Sequence, residues 1–383
     1  MRRTPSTFLA SAVLCSLALP AQPARAQTTT SSVAPTTTAT PTPVVPTAPE
    51  PAPPLLATPT IGAPTHPAGP NHVRVHRDAA GFKLLVDGRD FLVVGMNWDY
   101  MPVGENYSYD FWGRSDAFIE EALRREMTQL RDMGVNAIRQ GVEIPPRWVE
   151  YIYRTYGIYT MINHFVGRYG FTVDGVWVSP VDYADPHIRE VLEADVMAAV
   201  ARYQGTPGVL MWLLGNENNY GLYWASAEIE NLPLDKQGDA RADFLYSLYG
   251  KLIDRIKAAD TLHPVAIANG DLQFLPLIAQ HCKNLDIMGS NVYRGPSSGD
   301  LFERVLKELD KPFIYTEFGS DAYDAKRSRE DGFAQADVLL RQWEEIYAQS
   351  YGKGRSANAL GGFIFQWGDG WWKYKQDVNL DIH

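Results

Sequence analysis

Two glutamates set the chemical question. Glu217 stands in "WLLGNENNYG" (212–221), where an apolar run breaks into amides, and Glu317 closes the apolar run "FIYTEFG" (313–319). A carboxylate at such a place costs free energy unless it is paired or used. Two carboxyls held ~5–5.5 Å apart are what retaining glycoside hydrolysis requires. One is protonated and donates to the leaving oxygen; the other is ionised and attacks the anomeric carbon. Their surroundings must therefore push the two pKa values apart.

The neighbours expected around each carboxyl differ. Arg139 ends "VNAIRQG" and Tyr293 ends "IMGSNVY"; both would favour the ionised form of Glu317, which is the expected nucleophile. Glu217 follows Asn216, a neutral donor for a substrate hydroxyl, and is the expected acid/base. Further substrate contacts are expected from Trp98 and Asp99 after the first strand, from Asn163 and His164 after the third, and from Trp367 after the eighth. Core packing is the alternative for Trp98, and a backbone-satisfied histidine is the alternative for His164. Asn218, Asn219 and Tyr220 are candidate subsite contacts, and Asp369, Trp371 and Trp372 lie beyond the last strand.

These residues need a frame that gathers strand ends. Short, nearly continuous apolar runs occur near residues 91, 135, 158, 209, 264, 285, 313 and 361. Helical spacing fills the intervals at 117–133, 187–203 and 241–259. Buried parallel strands alternating with helices imply an α/β sheet. Eight repeats predict a (β/α)8 TIM barrel, with a doubly wound open sheet as the alternative. Chemistry in such barrels gathers at the C-terminal strand ends. A β-hairpin around Asp87-Gly88 precedes the first strand. "GFTVDGVWVSPVDY" (170–183) reads as an inserted hairpin on the active-site side. Only 17 residues follow Gln366, so the eighth helix is expected to be missing.

The Asn-Glu and Glu-Phe-Gly segments, in this order and about a hundred residues apart, resemble the paired signatures of the clan of retaining glycosidases built on (β/α)8 barrels. The likeness is closest to the catalytic barrel of the family 2 β-glycosidases. "MGVNAIRQ" and "LLVDGRDFLVVGMNW" are similar to that clan's strand-two segment and its entry into strand one. The resemblance covers residues 80–370. It implies hydrolysis of β-O-glycosidic bonds with Glu217 as acid/base and Glu317 as nucleophile, supported by Asn216, Arg139 and Tyr293. Trp367 takes the place of the aromatic platform under the reacting sugar. A β-glucan transglycosylase of the same clan and a non-catalytic carbohydrate-binding barrel are the alternatives. The large β-sandwich domains that normally precede the family's barrel have no counterpart in residues 1–70.

The rest of the chain bounds this reading. Residues 1–26 follow the plan of a signal peptide, with two arginines, an apolar stretch and Ala24-Arg25-Ala26. The apolar stretch is shorter than the ~20 residues a spanning helix needs. An exported protein, periplasmic, on the cell surface or extracellular, is expected, with no membrane span in its mature form. Residues 27–70, rich in Thr and Pro, read as a disordered linker, and 71–383 as the catalytic domain. A formal charge of −10 and a pI near 5.3 argue against nucleic acid as partner. The eight histidines are scattered and neither HExxH nor CxxC occurs, so no metal and no cofactor are expected. Cys282, alone in the mature form, reads as a buried free thiol.

Overall fold

The computed structural model describes residue 66 and residues 69–105, 108–324 and 326–370. The expected leader, nearly all of the expected linker, and Trp371 and Trp372 lie outside these. His66 falls inside the expected linker, and its ring stands 5.1 Å from that of Tyr153.

Eight parallel strands close into a barrel in chain order: β1 (Val93–Asn97), β2 (Ala137–Arg139), β3 (Tyr159–His164), β4 (Val209–Leu214), β5 (Val265–Gly270), β6 (Ile287–Asn291), β7 (Phe313–Phe318) and β8 (Ala359–Ile364). β8 returns to β1 with Gly361 opposite Val93, which makes the sheet closed rather than doubly wound. The first strand starts later than the apolar run suggests. Arg89–Phe91 instead pairs antiparallel with Gly81–Val86 across a turn at Asp87 and Gly88, both at positive φ, the geometry a tight hairpin turn demands.

Among the described residues, a helix follows each of β1 to β7: α1 (Asp116–Asp132), α2 (Pro146–Tyr156), α3 (Pro186–Tyr203), α4 (Leu234–Ala259), α5 (Leu275–His281), α6 (Leu301–Leu309) and α7 (Gly332–Ala348). Their ends obey local chemistry. Ser115 caps α1 by accepting from Phe118 N, and the chain leaves that helix through Gly134 at φ 87°. Asp185 caps α3 by accepting from the amides of His187 and Ile188, with Pro186 at the first helical position. None of these helices is long and apolar enough to cross a membrane.

Strand alternation divides the core in two. Outward residues such as Met96, Ile138, Ile162, Trp212 and Met288 pack against the helices. Inward residues Val93, Ala137, Met161, Leu213, Ala266, Ile287 and Ile314 pack with Val73, Phe82, Leu84 and Val86 of the preceding three-stranded sheet (Val73–Asp78, Gly81–Val86, Arg89–Phe91). That sheet plugs the N-terminal end of the barrel. Val73 N donates to Leu262 O, Phe82 N to Ala357 O, and Gly208 N to the Asn71 side chain, all just ahead of barrel strands. Cys282 is buried, and burial pushes its thiol up to about 12.

Candidate active site

Two residues further along the strands, the inward positions change character. Ala137 gives way to Arg139, Met161 to Asn163, and Ile287, past Gly289, to Asn291; in β1 the inward position is Asn97. Arg139 is buried at 3 % exposure, so each of its five N–H donors needs an acceptor. Its Nε donates to Asn163 Oδ1 (3.0 Å) and its Nη2 to Asn216 Oδ1 (2.8 Å). Its Nη1 reaches Glu317 Oε1 (2.7 Å), Thr316 O (3.1 Å) and Asn97 Oδ1 (3.2 Å). One guanidinium thus joins β1, β2, β3, β4 and β7, and its charge is matched by the Glu317 carboxylate.

Glu317, 8 % exposed, accepts from Arg139 through Oε1 and from the Tyr293 hydroxyl through Oε2 (3.0 Å). Burial, and then the charge of Glu317, raise the Tyr293 pKa, so this phenol stays protonated and remains a donor.

Glu217 reaches the same space by a different route. Beyond β4 the chain turns through Gly215 (φ 81°) and then Glu217 itself (φ 57°). A non-glycine residue in the left-handed region is held there only by its surroundings. Asn216 N donates to Asn218 Oδ1 and Glu217 N to Ala268 O. A Cβ on Gly215 would lie 2.0 Å from the Tyr249 hydroxyl, so the tight turn requires glycine. Burial raises the Glu217 pKa first, and the charge of Glu317 raises it further. A hydrogen bond from Asn291 and the charges of Arg168 and Arg139 pull it back only in part.

The two carboxyls share one cleft of about 820 Å³. Asn97, Asp99, Arg139, Asn216 and Tyr293 line it, as do Phe165, Tyr169 and Gln366. Asn216 Oδ1 accepts from Arg139 and from Asn291 Nδ2 (3.0 Å), while its Nδ2 donates to the Tyr169 hydroxyl (2.8 Å). Asp99 Oδ1 accepts from Gly141 N (3.1 Å) and Val142 N (2.7 Å). Burial nonetheless lifts its pKa to about 6, against the pull of those amides and of Arg139.

Several expected contacts lie elsewhere. Trp98 is 1 % exposed and packs against Phe111 and Trp112. Its indole donates to Glu126 of α1 (2.8 Å). Trp367 also hydrogen-bonds Glu126 and packs on the outer core, so it faces α1 and is no platform in the cleft. His164, the outward neighbour of Asn163, pairs through Nε2 with Asp195 of α3 (3.1 Å), while its Nδ1 accepts from Val166 N. Asn163 holds Arg139 and donates to Gly215 O (2.8 Å), so it positions the arginine rather than lining the cleft. Asn218 donates to Val166 O and the Tyr183 hydroxyl, and Asn219 to Gly270 O; both brace the turn that carries Glu217. Asp369 lines a small pocket beside the cleft with Asp99 and Gln366. Among the described residues, no three His, Cys, Asp or Glu side chains gather as a metal site.

The fold has known counterparts. Over 78 % of this chain the structure matches a family 2 (GH2) β-galacturonidase from Eisenbergiella tayi bound to galacturonate, with a TM-score of 0.52 and 15 % identity. Over 77 % it matches a β-glucuronidase from Bacteroides uniformis, with a TM-score of 0.53 and 15 % identity. The matches span 47 % and 32 % of those chains. The architecture is that of the catalytic (β/α)8 barrel these glycoside hydrolases contain. In sequence, 123 residues are 28 % identical to a Formosa agariphila protein named "Putative beta-glucuronidase", covering 32 % of this chain and 10 % of that protein. No family model matches.

Proposed function

We propose that this barrel is a retaining β-glycosidase in which Glu217 is the acid/base and Glu317 the nucleophile. The observation that carries the reading is the opposed surroundings of two carboxyls in one cleft. Burial and a like charge favour a proton on Glu217, whereas Glu317 rests against a buried guanidinium and a phenol that donates to it. In the first step Glu317 attacks the anomeric carbon and forms an ester to it. The glycosidic C–O bond breaks, and the proton of Glu217 goes to the departing oxygen. In the second step ionised Glu217 takes a proton from water, whose oxygen displaces Glu317 and restores the β configuration. Asp99 and Gln366, on the β1 and β8 side, hold hydroxyls of the sugar being cleaved. The substrate is a β-linked carbohydrate, and the leader pattern of residues 1–26 supports action outside the cytoplasm.

The first test concerns configuration. Proton NMR of the earliest product should show the β anomer, and a first-formed α anomer would defeat double displacement. The second test concerns roles. Glu217→Ala should lose turnover of natural glycosides, whereas an aryl glycoside whose leaving group departs without a proton should be turned over faster with azide, yielding a β-glycosyl azide. The pH profile should also bear the mark of Glu217. Because its pKa is raised, the protonated acid persists above the ordinary carboxylate range, and activity should decline only as pH climbs through that raised value. On an aryl glycoside whose leaving group needs no proton, the residual activity of Glu217→Gln should lack this basic limb.

A further inference from the structure

The hairpin in the β3–α3 connection takes no part in the chemistry above, yet it is built with care. Its strands, Phe171–Val173 and Val176–Val178, pair with Thr172 opposite Trp177. Its strands are anchored: Phe171 and Val178 at the root pack on the core, and Val173 beside the turn is buried. Its tip is tied to α3 by Asp174 and His187 (2.7 Å). Trp177 is left 64 % exposed, although indoles gain most by burial. Its ring lies over Gly170 so closely that a Cβ there would stand 2.7 Å from it and 2.8 Å from Val178 O. Gly170, at φ 101°, is thus the seat of the indole.

The residue before that seat is Tyr169, which lines the cleft and accepts from Asn216, the neighbour of Glu217. Phe165 meets the Tyr169 ring edge-on at 5.6 Å, and the Arg168 guanidinium stands 5.1 Å from the ring centroid. These contacts fix the phenol ring. Tyr169 thus stands in the cleft beside the proton donor, and at the next residue Gly170 seats the exposed indole of Trp177. Asp99 and Gln366, on other strands, present polar groups instead.

We propose that Tyr169 and Trp177 form a subsite for a sugar ring on the leaving-group side of the scissile bond. The proposal rests on the glycosidase reading and names its substrate class: a β-linked chain with at least one sugar unit beyond the cleaved linkage. Glu217 delivers its proton to the glycosidic oxygen, so whatever that oxygen carries lies on the Glu217 side. Flat aromatic faces there match the C–H faces of a pyranose ring.

The test compares leaving groups on one sugar. β-Glycosyl fluorides of glucose, galactose, mannose and glucuronic acid carry no ring there and need only the sugar-binding half of the cleft. The fluoride that the wild-type protein hydrolyses identifies the sugar, and the matching β-linked di- and tetrasaccharides follow. Trp177→Ala should lower kcat/KM on the oligosaccharides about tenfold, through KM, as expected for loss of one aromatic contact. Its fluoride turnover should stay within about twofold, and Trp177→Phe should recover most of the loss. Equal losses on fluoride and oligosaccharide, no loss on either, or turnover of fluoride but of no oligosaccharide would each overturn the subsite. Wild-type protein that turns over none of the fluorides would instead bring down the glycosidase reading itself.

Discussion

The two ends of the barrel are built from the same strands by opposite rules. At the N-terminal end the inward side chains are Val93, Ala137, Met161 and Ile287, and a three-stranded sheet seals them with Phe82 and Leu84. At the C-terminal end the inward side chains are Asn97, Arg139, Asn163 and Asn291, joined directly or through Asn216 by hydrogen bonds to Arg139, which holds Glu317. Non-directional burial makes the lower end tolerant in detail but sensitive to lost volume. The upper end is fully connected, so removing one partner strands the others. Stability and chemistry are thus separated by two to four residues along these strands.

The largest effect should come from cutting the upper network. Arg139→Met leaves Glu317 buried without its cation, at a cost of about 3–5 kcal/mol, and should lower kcat by at least ~100-fold. Urea melts and kinetics on one preparation would show both, whereas loss of stability with normal kcat would mean that the arginine is only structural. At the lower end, Leu84→Ala should cost about 2–5 kcal/mol while leaving kcat of the folded enzyme unchanged. A fall in kcat at full folding would couple the ends that this comparison separates.

The smallest effect concerns Asp99. With its folded pKa raised to about 6, its contribution to stability is fully present below the unfolded value near 4. That contribution is lost as pH rises through 6. Asp99→Asn removes the titration, so wild-type protein should lose about 1–2 kcal/mol relative to the variant between pH 4 and 7. Parallel pH–stability curves would contradict the burial argument.

The sequence carried the frame because buried parallel strands are written as short apolar runs, and all eight runs became barrel strands. It drew notice to Glu217, Glu317, Arg139, Asn216 and Tyr293, which the structure gathers in one cleft, because charged and amide groups at strand ends stand out against those runs. It misplaced Trp98 and His164 for a single reason, whereas Trp367 lies beyond the end of β8, where strand alternation no longer sets a direction. Alternation points successive residues to opposite faces, so Asn97 and Asn163 face inward while Trp98 and His164 face the helices. That signal lay in the sequence: Met161 inside the barrel puts Asn163 inside and His164 out. Phe165 and Tyr169 carried no such signal, because loop geometry rather than strand period brings them to the cleft. Asn291 was legible as the last residue of "IMGSN", but its link between Asn216, Thr316 and Glu217 depends on three-dimensional neighbours.

The most direct test of the proposed double displacement is to trap the glycosyl-enzyme it requires. A 2-deoxy-2-fluoro β-glycoside with a good leaving group, of the sugar that the enzyme accepts, slows the second step more than the first. Intact mass and peptide mapping should find one sugar per chain, on the peptide holding Glu317, and none on the Glu317→Gln variant. A label on another residue, or clean turnover without any covalent species, would contradict the account.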